Sequence, residues 1–191
     1  QRMSKTQIQF VDSLGYDVVF LLETHDSLNG MQHYGGQNRL LTAGPPPSDD
    51  KAGSVGVRLS EAAARCLNDW NTIPGAGTRA IWIHLNTTAG PLIAIGVYVP
   101  PDYRRNPTQA DILGAVLRFI QGLPKDSMIL MVGDMNAQMI KAHEGVTGNV
   151  VLRTDRNGMT ARKAQASARP HAFVENAGMW TASTGHEAWH G

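Results

Sequence analysis

The chain has 191 residues, of which 42% are hydrophobic and 17% charged, a balance typical of one globular domain rather than of a disordered polymer. Its formal net charge of +1 excludes a protein that coats nucleic acid through bulk positive charge. A single cysteine, Cys66, excludes an internal disulfide framework and a cysteine-rich zinc site, and it fits a reducing compartment. No apolar run approaches the roughly 20 residues of a membrane helix, and the N-terminus lacks a signal-peptide core. We therefore expect an intracellular protein without membrane insertion.

The first third of the chain predicts a helix, a buried strand and a loop. Apolar residues at helical spacing predict a helix over residues 4–14, with Gly15 as its C-cap. The apolar run at residues 17–22 predicts a strand buried on both faces, and it ends in Glu23. Residues 27–53 are rich in Gly, Pro, Asn and Asp, which predicts a long surface loop.

The rest of the chain alternates β-rich runs with helical patterns. The β-rich runs predict strands at residues 54–59, 79–85, 92–99 and 128–132, the second and third joined as a hairpin. The helical patterns lie at residues 61–70, 109–123 and 160–176. Because strands and helices interleave without a linker or repeat, the pattern predicts one α/β or α+β domain over residues 1–191.

Three apolar strands end in polar side chains that could form a site. Glu23 closes one strand, Tyr98 another and Asp134 a third, with Asn136 two residues further on. A carboxylate directly after an apolar run is costly unless it is paired, and strand ends can deliver such groups to one rim of a sheet. The carboxylates suit Mg²⁺ or Mn²⁺, and the neutral donors suit phosphate oxygens. On these residues alone, a cap or a solvated turn is the more common interpretation.

Three motifs, taken in order, resemble the endonuclease/exonuclease/phosphatase superfamily, which has the DNase I-like fold. They are Val18-Val-Phe-Leu-Leu-Glu23-Thr24, Gly96-Val-Tyr98-Val-Pro100-Pro101 and Gly133-Asp134-Met135-Asn136-Ala137. The last is similar to the Gly-Asp-Phe-Asn motif that is most diagnostic of the superfamily. Within it, the chain resembles the endonuclease domains of non-LTR retrotransposons over roughly residues 5–189.

The resemblance implies a fold, an activity and roles for the four residues. The fold would be a four-layered α/β sandwich of two mixed β-sheets flanked by helices. Glu23 would ligate Mg²⁺ or Mn²⁺, Tyr98 would hydrogen-bond the scissile phosphate, Asp134 would orient or deprotonate the attacking water, and Asn136 would stabilise the transition state. The implied reaction is metal-dependent cleavage of nucleic acid, DNA more than RNA.

The chain also departs from the family pattern. The family begins with an Asn-bearing strand and ends with a Ser-Asp-His motif, and residues 1–191 include neither; Leu22 stands where Gln is usual. We therefore expect a domain that is incomplete at both ends and holds about half of a catalytic site, which leaves open whether the chain is an enzyme. The alternative is a catalytically inactive, retroelement-derived fragment that serves as a structural or interaction subunit of a larger complex.

Two further signals remain as alternatives. Residues 186–190 read His-Glu-Ala-Trp-His, which matches the His-Glu-x-x-His pattern of zinc hydrolases but lacks a surrounding helical pattern. Basic residues between Arg153 and Arg169, with Arg104 and Arg105, could track a nucleic-acid backbone or form a solvated face.

Overall fold

The computed structural model of the chain describes residues 5–24, 29–34, 38–44, 53–100 and 109–136, together with positions 173, 176 and 177. The helices of this part are α1 (Lys5–Ser13), α2 (Glu61–Cys66) and α3 (Gln109–Gln121). The strands are β1 (Val18–Thr24), β2 (Asn29–Tyr34), β3 (Asn38–Ala43), β4 (Ser54–Leu59), β5 (Leu67–Thr72), β6 (Ala80–Thr87), β7 (Gly90–Tyr98) and β8 (Met128–Asp134). A short 3₁₀ turn, Gly77–Arg79, leads into β6.

The strands form two four-stranded sheets. The first has the order β1-β4-β3-β2 and is antiparallel throughout its described strands. The second has the order β5-β6-β7-β8 and is mixed, because β7 and β8 run parallel. A parallel pair needs a crossover connection, and α3 lies in the connection between β7 and β8. The second sheet is thus mixed, as expected, and the described strands of the first are antiparallel.

The inner core lies between the two sheets. Alternate residues of β4, Val55 and Val57, share a buried cluster with Ile81 and Ile83 of β6, as the two-residue period of a strand requires. Arg58 points to the opposite face of β4, where its Nη2 lies 2.8 Å from Oδ1 of Asp12 in α1. Helix α1 therefore covers the outer face of the first sheet.

A second core lies between the second sheet and α3. Ile93 and Ile95 of β7 share a fully apolar cluster with Ile112 and Val116 of α3, each of which contributes about 1.5–3 kcal/mol through burial. The protein thus has the four layers predicted: α1, the first sheet, the second sheet and α3.

Most predicted elements appear within two or three residues of their expected bounds, but two are wrong. The predicted loop over residues 27–53 contains the hairpin of β2 and β3, because β3 pairs with β4 (Leu41 opposite Val57) and is buried by that pairing. The predicted helix over residues 61–70 ends at Cys66 and continues as β5, which pairs with β6. Asn68, Asp69 and Asn71 are weak helix formers, so the sheet pairing prevails.

Strand β8 is buried on one face rather than two. Ile129 and Met131 pack against the outer core, whereas Met128, Leu130 and Val132 are 39%, 50% and 40% exposed. The other face is therefore not covered by the described part of the chain, and β8 is also the edge strand of its described sheet.

Some sequence predictions lie outside the described residues. They are the basic cluster from Arg153 to Arg169, Arg104 and Arg105, the pattern at 186–190, and most of the helix predicted at 160–176. Among the helices that are described, none has the length and apolar character needed to cross a bilayer.

Candidate functional site

The candidate site lies where β7 and β8 end beneath the end of β1. Tyr98 is the last residue of β7, and its partner in the parallel pairing is Asp134, the last residue of β8. Residues paired in this way project from the same face of a sheet. Glu23 comes from β1 in the opposite sheet, and its carboxylate meets the Tyr98 hydroxyl. The structure thus brings together the ends of the three strands that the sequence singled out.

Glu23 reaches the inner face of its sheet because β1 contains a bulge. Phe20 and Leu22 already pack against the inner core, so regular alternation would turn Glu23 away from it. The pairing of β1 with β4 shifts register between Leu21 and Thr24, and Glu23 has a left-handed backbone with φ 55°. A bulge of this kind re-aims a side chain, and here it directs Glu23 toward Tyr98.

Gly53 and Ser54 of the facing segment hold the bulge in place. A Cβ atom at Gly53 would lie 2.2 Å from the carbonyl carbon of Glu23, so only glycine allows this approach. The fully buried Ser54 hydroxyl donates to the Thr24 carbonyl oxygen at 3.0 Å and lies 2.9 Å from the Thr24 hydroxyl. The left-handed conformation of Glu23 is therefore over-determined by its neighbours.

A close approach of the two sheets sets the distance that Glu23 must span. A Cβ atom at Gly96, two residues before Tyr98, would lie 2.4 Å from the Phe20 ring. The absence of that atom lets the ring of Phe20 rest on the backbone of β7. This contact brings β1 near enough to β7 for the Glu23 carboxylate to accept a hydrogen bond from Tyr98.

Tyr98 is a buried phenol held in its neutral form. Its side chain is 1% exposed, and its O–H donates to Oε1 of Glu23. Burial raises the pKa of Tyr98 to about 12, helped by the Glu23 hydrogen bond and by the charges of Glu23 and Asp134, while Arg79 opposes the rise. At neutral pH Tyr98 is therefore a hydrogen-bond donor, and both carboxylates lie near enough to act on it.

Asp134 and Asn136 are fixed by contacts between the chain segments that follow β7 and β8. The Val99 N–H donates to the backbone oxygen of Asp134 at 2.8 Å, and the Asn136 side-chain amide donates to the Val99 oxygen at 2.8 Å. The backbone N–H of Asn136 donates to Oδ1 of Asp134 at 2.8 Å. Asp134 is exposed, so its carboxylate faces solvent from a rigid position.

Glu23 and Asn136 share an unusual backbone conformation. Within the described residues they are the two non-glycine positions with positive φ, 55° and 45°. Asn tolerates this region, whereas for Glu it costs about 1–2 kcal/mol. Backbone strain of this kind clusters at functional sites, so these two conformations support the choice of this region as the candidate site.

Arg79 is a member of the site that the sequence analysis did not single out. Ala80 pairs with Val97, so the preceding residue, Arg79, lies beside Tyr98 on the side opposite Asp134. Its guanidinium carbon lies 5.5 Å from the centroid of the Tyr98 ring, and the side chain is 1% exposed. The one feature of the sequence that could have identified Arg79 is its position as a cationic residue at the start of an apolar β-rich run.

The donor set of the site fits a hard divalent cation. Glu23 and Asp134 supply carboxylate oxygens from opposite sheets, and Mg²⁺ is commonly bound by one or two carboxylates while it keeps several waters. No group of three or more His, Cys, Asp or Glu suited to a metal ion occurs within the described ranges. Two carboxylates are therefore the acidic ligands that the described residues of the site offer to such a cation.

Comparison with solved structures gives the fold. The endonuclease domain of TRAS1, a telomere-specific non-LTR retrotransposon, matches with a TM-score of 0.50 and 12% identity over 89% of this chain and 62% of that domain. D. rerio TDP2 complexed with single strand DNA product matches with a TM-score of 0.44 and 13% identity over 95% of this chain and 51% of that one. ANGEL2, a 2',3'-cyclic phosphatase, matches with a TM-score of 0.46 and 15% identity over 69% and 43%.

The TRAS1 match bears on the fold and not on the activity. No family model matches the chain, and no curated protein matches it. The chain spans less than two thirds of the TRAS1 domain, and at 12% identity that likeness shows the architecture alone. The protein therefore has a DNase I-like α/β fold, as its motifs predicted.

Proposed function

We propose that this site binds a divalent cation and hydrolyses phosphodiester bonds in nucleic acid, with DNA as the preferred substrate. The observation that carries the proposal is the convergence of Glu23, Tyr98, Asp134 and Asn136 at one end of the two sheets. Carboxylates and neutral donors held in fixed positions are the groups that phosphoryl chemistry requires.

Glu23 is the proposed ligand of Mg²⁺ or Mn²⁺, with the exposed Asp134 close by. When bound, the cation would neutralise phosphate charge and polarise the scissile group. Glu23 already accepts the Tyr98 hydrogen bond through Oε1, so its carboxylate is oriented before any cation arrives. Such second contacts fix a ligand and tune its basicity.

Tyr98 has one phenolic hydrogen, and this limits its role. The hydrogen is donated to Glu23, so Tyr98 orients the carboxylate in this state. It can donate to a phosphate oxygen only when the hydroxyl turns away from Glu23. Its raised pKa keeps the group protonated for either contact at neutral pH.

Asp134 and Asn136 would act on the attacking water and on the developing charge. One oxygen of Asp134 accepts a hydrogen bond from the Asn136 N–H, and the exposed carboxylate would orient or deprotonate a water molecule. The Asn136 amide is anchored to Val99 and carries a second N–H that could meet a phosphate oxygen. A preorganised donor of this kind costs no reorganisation during reaction.

A second candidate is a catalytically inactive subunit that binds protein partners in a larger assembly. Phosphodiester cleavage also needs an acid or cation at the leaving oxygen. The histidines in the described ranges are His33, in β2, and His84, five residues along from Arg79, and neither lies at the strand ends that form the site. The described strand ends thus lack a histidine that could serve as this acid, which is the observation behind the inactive alternative.

The test is nicking of supercoiled plasmid with Mg²⁺. The 191-residue chain is compared with a polypeptide extended on either side, where the reading frame continues, and each is tested as wild type, Asp134→Ala and Asp126→Ala. Asp126 is an exposed aspartate near the opposite end of β8, so its replacement is the matched control.

We expect the 191-residue chain alone to nick little, because no described histidine lies at the strand ends of the site to protonate the leaving oxygen, and lack of one proton-transfer group typically costs about 10²–10⁴-fold in rate. If the reading frame encodes the family's Asn-bearing strand and Ser-Asp-His motif, the extended polypeptide should nick, and it should lose that activity with Asp134→Ala but not with Asp126→Ala. Absence of nicking by the longer wild-type polypeptide would favour the inactive subunit. Nicking that survives Asp134→Ala would contradict the proposed site.

A further inference from the structure

We propose that Arg79 is a positioning residue whose guanidinium holds the Tyr98 ring in the orientation that brings its hydroxyl to Glu23. The inference concerns the geometry of Tyr98, and it holds whether or not the chain cleaves nucleic acid.

The position of Arg79 follows from the sheet register. Ala80 lies opposite Val97 in the antiparallel pair of β6 and β7, which places Arg79 next to Tyr98. The 3₁₀ turn that carries Arg79 also contacts β3 and β4 of the first sheet. Arg79 therefore projects into the space between the sheets, on the same side as the Tyr98 ring.

The contact between the two side chains is a cation–π interaction. The guanidinium carbon lies 5.5 Å from the ring centroid, within the range of about 6 Å over which a cation is attracted to an aromatic face. Both side chains are 1% exposed, and the attraction is strongest in such a desolvated setting. A planar guanidinium can also stack on a ring, which an ammonium cannot.

Tyr98 has neighbours on three sides that together fix its ring. Arg79 lies on the β6 side, Asp134 is the partner on the β8 side, and Glu23 accepts the hydroxyl from the opposite sheet. The hydroxyl contact fixes only the tip of the ring, whereas Arg79 contacts its face. Without the face contact, the ring can rotate and the hydroxyl can leave Glu23.

Replacement of Arg79 by an apolar residue can distinguish a positioning role from a purely structural role of this side chain. Apolar replacement of buried ionic groups is often neutral or stabilising when only packing is at stake. If Arg79 merely filled space, Arg79→Met would retain both the fold and the Tyr98 environment. If Arg79 positions Tyr98, the fold can survive while the tyrosine environment changes.

The experiment is ¹⁹F NMR of the full chain labelled with 3-fluorotyrosine. The chain has four tyrosines, and Tyr98→Phe identifies the Tyr98 resonance. Arg79→Met and Arg79→Lys are compared with Arg58→Met. Arg58 is the matched control, because it is a buried arginine that pairs with Asp12 on the outer face of the other sheet.

For Arg79→Met we expect the Tyr98 resonance to move toward its position in the denatured chain, with a narrower line from a freer ring. Arg79→Lys, which keeps the charge but not the planar group, should give an intermediate shift. Arg58→Met should leave the Tyr98 resonance unchanged.

An unchanged Tyr98 resonance in folded Arg79→Met would overturn the proposal, as would an equal change in Arg58→Met. If Arg79→Met does not fold, Arg79→Lys decides. A displaced Tyr98 resonance in that variant then supports the positioning role, and a wild-type resonance rejects it.

Discussion

The phenolic hydroxyl of Tyr98, at the end of one sheet, donates a hydrogen bond to the carboxylate of Glu23 in the other sheet. The two residues are 75 positions apart in the chain, and each lies at the end of an apolar strand. A bulge in β1, Gly53 just before β4, Gly96 in β7 and a buried arginine all contribute to this one contact. The candidate site is therefore built by both sheets together.

Removal of the hydroxyl tests how much the contact contributes to stability. Tyr98→Phe should lower the free energy of unfolding by about 1 kcal/mol, the usual contribution of a hydrogen bond. The loss should not be larger, because Glu23 is exposed and its carboxylate can be hydrated by water. Urea denaturation measures it. Tyr16→Phe, at a residue 63% exposed, is the control and should change stability by less than about 0.5 kcal/mol; an equal loss in both variants would contradict the assignment.

The raised pKa of Tyr98 predicts a loss of stability at high pH. Because the pKa is about 12 in the folded chain against 10.0 for an ordinary tyrosine, the unfolded chain releases this proton first. Between these values the free energy of unfolding should fall as pH rises, by about 2 to 3 kcal/mol in total. Below pH 10 the contribution is fully present.

Absorbance titration of tyrosinate near 295 nm, with denaturation at several pH values, measures both quantities. In Tyr98→Phe the latest-titrating tyrosine should disappear, and the fall in stability above pH 10 should become shallower. A wild-type chain in which every tyrosine titrates near pH 10 while folded would contradict the burial of Tyr98.

Gly53→Ala should disrupt the bulge that aims Glu23. The added Cβ would lie 2.2 Å from a backbone atom of Glu23, so the segments must separate, at a cost of about 1–3 kcal/mol. Gly114→Ala in α3 is the control, because its Cβ would meet only Arg118 at 3.4 Å. That variant should gain about 0.5–1 kcal/mol from helix propensity. Thermal or urea denaturation compares the two, and equal stability of Gly53→Ala and wild type would refute the role of Gly53.

Residues 186–190 match a zinc-hydrolase pattern, but we expect that the chain binds no zinc there. Elemental analysis of the purified chain should find no stoichiometric zinc, because a five-residue match without a helical context is a weak signal. Tight zinc binding that is lost with His186→Ala or His190→Ala would reverse this view and favour the hydrolase alternative.

Local patterns were sufficient to predict the strands that carry the site. The apolar runs before Glu23, Tyr98 and Asp134 predict strands whose ends bear polar groups, since the two-residue period and the strand-ending residues are written in consecutive positions. The helix α3 follows from apolar residues at helical spacing for the same reason. The resemblance to a known superfamily then implied that these strands form two sheets flanked by helices.

The two wrongly predicted elements, the loop at residues 27–53 and the helix at residues 61–70, are explained by strands that pair with them from elsewhere in the chain. The segment of β2 and β3 has the composition of a loop, and it becomes a hairpin because β3 pairs with β4. The residues of β5 continue a helical pattern, and they become a strand because β6 offers a free edge, with Leu67 opposite Leu85. Sheet propensity depends on such neighbours more than helix propensity does.

Composition and periodicity, which are local, determined that the chain has apolar strands ending in Glu23, Tyr98 and Asp134. Only the tertiary structure decided that these ends meet, since the register of β7 with β8 and the approach of Phe20 to Gly96 are set by residues far apart in the chain. The tertiary structure also decided the direction of Glu23, through the clash that any side chain at Gly53 would create. The tertiary structure likewise decided the role of Arg79. An arginine at the start of a strand is ordinary in sequence, and only the pairing of β6 with β7 buries this one beside the ring of Tyr98.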